Sequence, residues 1–322
     1  MQTRNNNLLL GIFFIILGSS SYGMLSTFVK LAYQHGFTTA EVTAAQMSWG
    51  AFIVTTLAYL QKNKGPKATS TDIRNLMIAG IPLSLTSVLY YLSVRYIDAS
   101  VGVVLLMQSV WMGVILEAIQ KKKIPSLEKI VAVILVLFGT LLATKMIGTE
   151  NIHLDIRGVI LGLMTAMSFS WTLYSTSSVA NHLNPIERSR FMLYGGCIVV
   201  ALFTFLTQVG PFYFNVHLVG EDFIFNKAFD ATIYFSYGLI VAIFGTVIPP
   251  VMLNKGFPIT GVGLGSILSS IELPVAMTIA FLFLGETVNT LQWFGVIIII
   301  SAIVLMNFRM FSVKDTNQEF AH

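Results

Sequence analysis

Long apolar runs separated by short polar stretches set the pattern of this chain. LLLGIFFIIL near the N-terminus and FGVIIIISAIVL near the C-terminus are representative, and neither alternates. A transmembrane helix needs about 20 mainly apolar residues, whereas a barrel strand needs about 10 alternating ones. The pattern therefore predicts helices and excludes an outer-membrane barrel. Ten segments qualify. The first five are Leu8–Val29, Thr39–Leu60, Leu76–Val94, Ser100–Ile119 and Leu127–Met146. The second five are Gly158–Val179, Arg190–Gln208, Thr232–Leu253, Thr260–Leu284 and Thr290–Phe308. Connections are short except for the stretch from Val209 to Ala231. Arg4, the first apolar run and Ser19, Ser20 and Ser21 imitate a cleavable leader. The run continues past the serines to Val29, long enough to span, so it reads as the first helix.

Composition strengthens this picture. A soluble chain of 322 residues would suggest about two domains. Hydrophobic residues at 55% and charged residues at 11% exclude that, because too few charges remain to cover a surface. The expectation is an all-α integral membrane protein in contact with the lipid bilayer. A net charge of +4 does not point to nucleic acid, since the basic residues sit in short loops between apolar segments. The single cysteine, Cys197, lies inside one such segment, so this chain alone forms no disulfide or cysteine-based metal site.

Loop charges give a direction, because basic residues collect on the cytoplasmic side of short loops. With both termini inside, Lys30, Arg95, Lys145, Arg157 and Lys227 fall outside, and the other fourteen of the 19 Lys and Arg fall inside. Both termini are therefore predicted to be cytoplasmic. With no targeting peptide evident, the default location is a plasma membrane, that of a bacterial inner membrane. The long outer loop carries Phe212, Tyr213, Phe214, Phe223, Phe225 and Phe229 with Glu221, Asp222 and Asp230. It reads either as an interfacial segment or as a loop packed on the helix ends.

The two halves resemble each other. SVGVVLLMQSVWMGVILEAI matches GVGLGSILSSIELPVAMTIA at an offset of 161 residues, and SWGAFIVTTLAYL echoes YGGCIVVALFTFL at an offset of 146. Five helices per copy is an odd number, so the second copy enters the membrane from the opposite face and the topology is inverted. Lys121, Lys122 and Lys123 follow the fourth segment, whereas LFLGETVN after the ninth holds no basic residue. Two nearly equivalent packings related by such symmetry give inward-open and outward-open states, which points to a carrier working by alternating access.

At this point the chain resembles the drug/metabolite transporter superfamily, in particular its EamA-type ten-helix permeases. The resemblance runs from about Leu8 to Phe308 and is carried by IELPVAMTIAFLFLGETVNTLQWFG, with Pro274, Gly285-Glu286, Gln292 and Gly295 as its most specific positions. The first half departs from that pattern, with Gly113 in the place of the proline and Lys123-Ile124-Pro125 in the place of the Gly-Glu turn. The resemblance implies two five-helix repeats, at 8–148 and 156–309, and a metabolite carrier, often an exporter of amino acids or related compounds. It does not name the cargo.

Glu272 is the first residue to explain. An ionised carboxylate near mid-membrane costs on the order of 3 kcal/mol by insertion scales, so it must face a cavity, pair with a partner or carry a proton. Pro274 follows two residues later and weakens the local backbone ladder. Proton coupling and a counter-charge for a substrate ammonium are the functional readings; a glutamate hydrogen-bonded to a neighbouring helix is the plain one. Gly261, Gly265, Ser269 and Glu272 share a face, the glycines for close packing and Ser269 as a cavity candidate. Gln108 and Trp111 lie on one face of the fourth segment, with Trp111 aligned to Glu272; the pair suits a flat or cationic solute, or a packed core. Gln46 with Trp49, Tyr90 with Tyr91, and Trp171 with Tyr174 are further candidates, each also compatible with plain packing. Pro249 and Pro250 suggest a kink before Asn254. Glu117 four residues before Lys121 reads as a helical ion pair, Lys30 and Arg95 as snorkelling cations, and Glu286 as a helix-dipole partner.

An intramembrane enzyme is the rival class. The only adjacent acids, Glu221-Asp222, sit in the outer loop, and the chain has no His-Glu-x-x-His string, no Gly-x-Ser-x-Gly and no phosphate-binding loop. GVGLGS follows no strand and is not a dinucleotide fingerprint. No cofactor or metal is expected. A channel lacks a charged ring but remains open as an alternative. The sequence expectation is a secondary transporter of small amphipathic solutes, with possible proton coupling through Glu272 and no signal of an oligomeric state.

Overall fold

The computed structural model describes residues 2–61, 65–93, 96–97, 99–144, 155–285 and 288–319. The long α-helices are built on the apolar runs, because a backbone in lipid must satisfy its own hydrogen bonds. In chain order they are α1 (Gln2–Gln34), α2 (Thr39–Leu60), α3 (Ser70–Ser93), α4 (Ala99–Met107), α5 (Ser109–Lys121), α6 (Leu127–Ala143) and α7 (Ile156–Ser178). Then come α8 (Pro185–Thr204), α9 (Gly210–Phe214), α10 (Gly238–Ala242), α11 (Ile248–Thr260), α12 (Val262–Ser269), α13 (Glu272–Leu284) and α14 (Thr290–Glu319). Among the described residues seven stretches are long and apolar enough to cross a bilayer: Asn7–Gln34, Ser70–Ser93, Val101–Lys121, Ile156–Ser178, Pro185–Phe214, Gly238–Thr260 and Val262–Phe283. Thr290–Leu305 is a shorter apolar helix. Arg95, Lys145 and Glu286 lie outside the described residues.

Local signals set the helix limits. Thr38 and Glu41 form a capping box that starts α2, each side chain bonded to the other's backbone N–H. Asn184 caps α8 with Pro185 in its first turn, so this helix begins five residues before the expected Arg190. The eighth predicted segment starts later than expected. Asp230 accepts from the Thr232 backbone and hydroxyl and turns Ala231–Phe235 into a 3-10 helix, so the α-helix opens only at Gly238. Two π-helical turns, Phe205–Val209 and Ile243–Val247, interrupt the long helices, the second just ahead of Pro249 and Pro250. The loop after α9 lies on the helix ends. Gln208 and the Asp230 backbone N–H both donate 2.8 Å bonds to the buried Glu41 carboxylate, which Lys227 approaches at 3.5 Å.

Two long helices are broken midway. In the first, Gln108 separates α4 from α5. Its Nε2 donates to the Val104 carbonyl at 3.0 Å, and its own backbone N–H goes to Leu105 O instead. A side-chain amide thus takes the carbonyl that the helix would have used. In the second, Ser270 and Ile271 separate α12 from α13. Here Pro274 has no N–H to offer the Ser270 carbonyl, and Ser270 donates its hydroxyl back to Ile267 O at 2.6 Å.

Packing is paired. α1 lies along α11 as α7 lies along α3; α2 packs on α8 and α6 on α14; α1 packs on α13 as α7 packs on α5. Small residues allow the backbones to approach. A Cβ on Gly80 or Gly195 would strike the backbone of Met192 or Met77 across the α3–α8 contact. The main apolar core gathers Ile15, Val110, Leu173, Phe257, Ile267 and Ile299 around the α5–α12 crossing.

Candidate functional site

The broken helices meet at one end and part at the other. α5 and α12 pack on each other, and α7 packs on both α11 and α12. Among the described residues no comparable packing joins α4 to α13 or α1 to α3. The packed end is held by charge. Lys121 donates to Glu117 at 2.7 Å, the expected helical pair, and Lys129 of α6 holds the second carboxylate oxygen. That carboxylate is buried against Gly263, where any Cβ would collide with it. It also faces the N-terminal turn of α12, where a negative charge suits the helix dipole.

Arg188 closes the same end. It is 1% exposed and donates to Val179 O at 3.0 Å, Thr176 O at 2.6 Å and Asn254 O at 2.9 Å. Thr176 lies in the last turn of α7 and Val179 just past its end, where carbonyls have no intrahelical donor. One guanidinium thus ties α7 to α11. Asn254 donates in turn to Ser189 Oγ at 2.9 Å.

At the other end the gap between α1 and α3 is spanned by tyrosine rings. Tyr33 meets Tyr91 edge to face at 6.0 Å, and Tyr90 meets Tyr91 at the same spacing. Tyr22 sets its edge on Phe169 of α7 at 6.2 Å. Glu272, the first residue of α13, lies within electrostatic range of the Tyr22 and Tyr90 hydroxyls. Its Oε2 is buried and has no hydrogen-bond partner. α1 reaches this point because Gly23 carries no side chain: a Cβ there would stand 2.5 Å from the Glu272 carbonyl oxygen.

The other candidates have separate surroundings. Ser269 is buried and spends its hydroxyl on Gly265 O at 2.9 Å. The Trp111 indole donates to Gln108 Oε1 at 2.9 Å, and both lie on the side of α5 that continues into exposed Ile115 and Ile119. Gln46 is buried beside Gly245 in the second π-turn, and its Oε1 has no partner. Trp49 donates to Tyr234 O at 2.9 Å. Trp171 is 50% exposed and continues the outward stripe of Ile156, Ile160, Leu163 and Met167, with Tyr174 against it at 5.9 Å. An open groove of about 520 Å³ between α3 and α8, walled by Met77, Ile78, Ile81 and Val199, lies away from Glu272 and suits acyl chains.

Tyr22, Arg188 and Glu41 were not among the expected site residues. A tyrosine in an apolar helix carries no contrast, and Arg188 counts from sequence as a loop cation. Glu41 alone had a readable signal, the Thr38-x-x-Glu41 capping pattern.

Comparison with known proteins places the chain. The uncharacterized transporter YcbK of Bacillus subtilis (strain 168) is 21% identical over 295 residues, covering 88% of each chain. A crystal structure of a protein only 12% identical shares the fold with a TM-score of 0.69, over 93% of this chain and 96% of the other. The model of the EamA-like transporter family matches twice, at residues 9–145 and 156–308. The chain therefore belongs to the EamA-like transporter family and is a multi-pass membrane transporter, not an enzyme.

Proposed function

We propose that the protein is a secondary carrier that exports small amphipathic metabolites, amino acids among them, by alternating access. Its ten helices form two inverted repeats, 8–148 and 156–309, with both termini in the cytoplasm of a cell whose plasma membrane it spans. The observation that carries this reading is Glu272, a carboxylate with an unpartnered buried oxygen at the break of a helix whose first half packs chiefly on α5 and whose second half packs chiefly on α1. α12 is held against α5 at the packed end, while α13 lies on α1 at the other. A solute bound at the break is therefore near the point about which the two ends exchange. Glu272 must be neutralised by a proton or by a cation, so one site serves both coupling and cargo. Tyr90 and Tyr91 line it from α3. Gln108 sets the matching break, with Trp111 held to it.

Uptake of a labelled amine and amino-acid panel into proteoliposomes, with and without an imposed pH gradient, tests this. Saturable, gradient-driven accumulation is the expected outcome. Glu272→Gln is expected to lower it at least about tenfold while leaving thermal unfolding in detergent unchanged. A mutant that keeps the wild-type gradient response removes Glu272 from coupling. Flux that rises linearly with concentration and shows no counterflow makes the protein a pore.

A further inference from the structure

The gap between α1 and α3 contains more chemistry than alternating access requires. Three tyrosine hydroxyls, those of Tyr22, Tyr90 and Tyr91, have no hydrogen-bond partner among the described residues, whereas Tyr33 gives its hydroxyl to Thr39. Among the described residues, the titratable groups acting on these side chains are one another and Glu272. No Lys, Arg or His among the described residues neutralises the carboxylate. Lys30, two turns along α1 from Tyr22, is exposed and has a contact of its own. Phe169 adds an apolar wall against Tyr22.

Such surroundings discriminate by charge. The faces of aromatic rings attract a cation, and a carboxylate completes its neutralisation. A carboxylate on the solute would find no donor cation among the described residues and would repel Glu272 at close range. We infer that the gap between α1 and α3 is a binding site for an organic ammonium ion with an apolar body, in which Tyr22, Tyr90 and Tyr91 surround the cation, Glu272 balances its charge, and a carboxylate on the same solute is rejected. This inference rests on the reading of the protein as a carrier and narrows the cargo from amino acids to amines.

Matched compounds test it. Phenethylamine, phenylalanine and 3-phenylpropionate share a ring and differ in charge. Their affinities for the full chain in nanodiscs are measured by calorimetry at neutral pH, with flux in proteoliposomes followed in parallel. Phenethylamine is expected to bind at least about tenfold more tightly than either of the others. Tyr90→Leu and, separately, Tyr22→Leu are each expected to weaken it about tenfold, while Tyr90→Phe, which keeps the ring, stays near wild type. Unliganded melting identifies a variant that has misfolded, and the second tyrosine then supplies the answer. Equal or tighter binding of phenylalanine, no binding of phenethylamine, or full affinity in both leucine variants overturns the inference. Phenylalanine flux without amine binding leaves the carrier reading intact and removes the ammonium site. Amine binding without flux of any compound keeps the site and removes the carrier.

Discussion

The α7–α11 contact and the α1–α3 gap occupy matching places in the two halves, yet only one of them is packed. Exchanging the halves carries α7 onto α1 and α11 onto α3. In one place a guanidinium gathers three carbonyls and draws two helices together. In the other the helices stand apart and tyrosine rings meet between them. The sequence difference behind this is small. At the offset of 146 that aligns the second and seventh predicted helices, Val42 stands where Arg188 stands. Topology is repeated, but the fastening is not, so chemistry rather than connectivity decides which end of the molecule is held shut.

The largest effect is expected from removing that fastening. Arg188→Leu leaves the carbonyls of Thr176, Val179 and Asn254 without their donor in a buried place. A buried acceptor left unpaired costs about 1–3 kcal/mol, so the loss of stability should be at least about 3 kcal/mol. Thermal unfolding in detergent measures it. With Cys197→Ser as background, a cysteine at Thr176, buried in the parent, should become open to thiol reagents once Arg188 is gone. Unchanged melting together with unchanged labelling would mean that the α7–α11 contact is held by packing alone.

A smaller effect is expected at the neighbouring ion cluster. Lys121 is 57% exposed and Lys129 only 20%, so Glu117→Ala should cost about 1 kcal/mol, much of the pairing being screened. Gly263→Val should cost more, because its Cβ displaces the Glu117 carboxylate. The two changes act on one contact and should not be additive: in the Glu117→Ala background, Gly263→Val should lose most of its effect. Additive losses would show that Glu117 and Gly263 do not press on each other.

How far the sequence reached follows from what each feature depends on. Thr39–Leu60 was placed to the residue because apolar content and a capping box agree there. Arg190 missed the start of α8 because Asn184 and Pro185 outweigh hydropathy at a helix start. Pro274 marked a weakened ladder but not the break at Ser270 within the expected Thr260–Leu284 segment, and the break at Gln108 has no proline or glycine to announce it and depends on where one amide points. Glu272 was readable because a carboxylate in an apolar run is costly wherever it points. Its tyrosine neighbours were only half readable: Tyr90 and Tyr91 stand out as a pair, whereas Tyr22 gains meaning only once α1 and α13 touch at Gly23. Long-range partners such as Arg188 and Asn254, 66 positions apart, are invisible to periodicity.

The smallest expected effect lies outside the membrane, at the loop above the tyrosine gap. Asp230 accepts from the Thr232 hydroxyl at 2.6 Å and backbone N–H at 3.0 Å, and these bonds, with Lys227 nearby, hold its carboxyl below the ordinary aspartate value. A carboxyl lowered on folding stabilises the fold fully above its unfolded pKa and loses that contribution as pH falls through the folded one. Wild type should therefore melt slightly above Asp230→Asn at neutral pH, and the difference should vanish as the pH is taken below about 4. The Asp230 backbone N–H also donates to Glu41, so the loop keeps its main anchor in the mutant and the shift stays small. A difference that persists unchanged into acid would assign the effect to loop geometry rather than to charge. The two fastenings would then differ in kind: a buried cation at the packed end, whose hold does not vary near neutrality, and polar turn geometry alone at the end where the helices part.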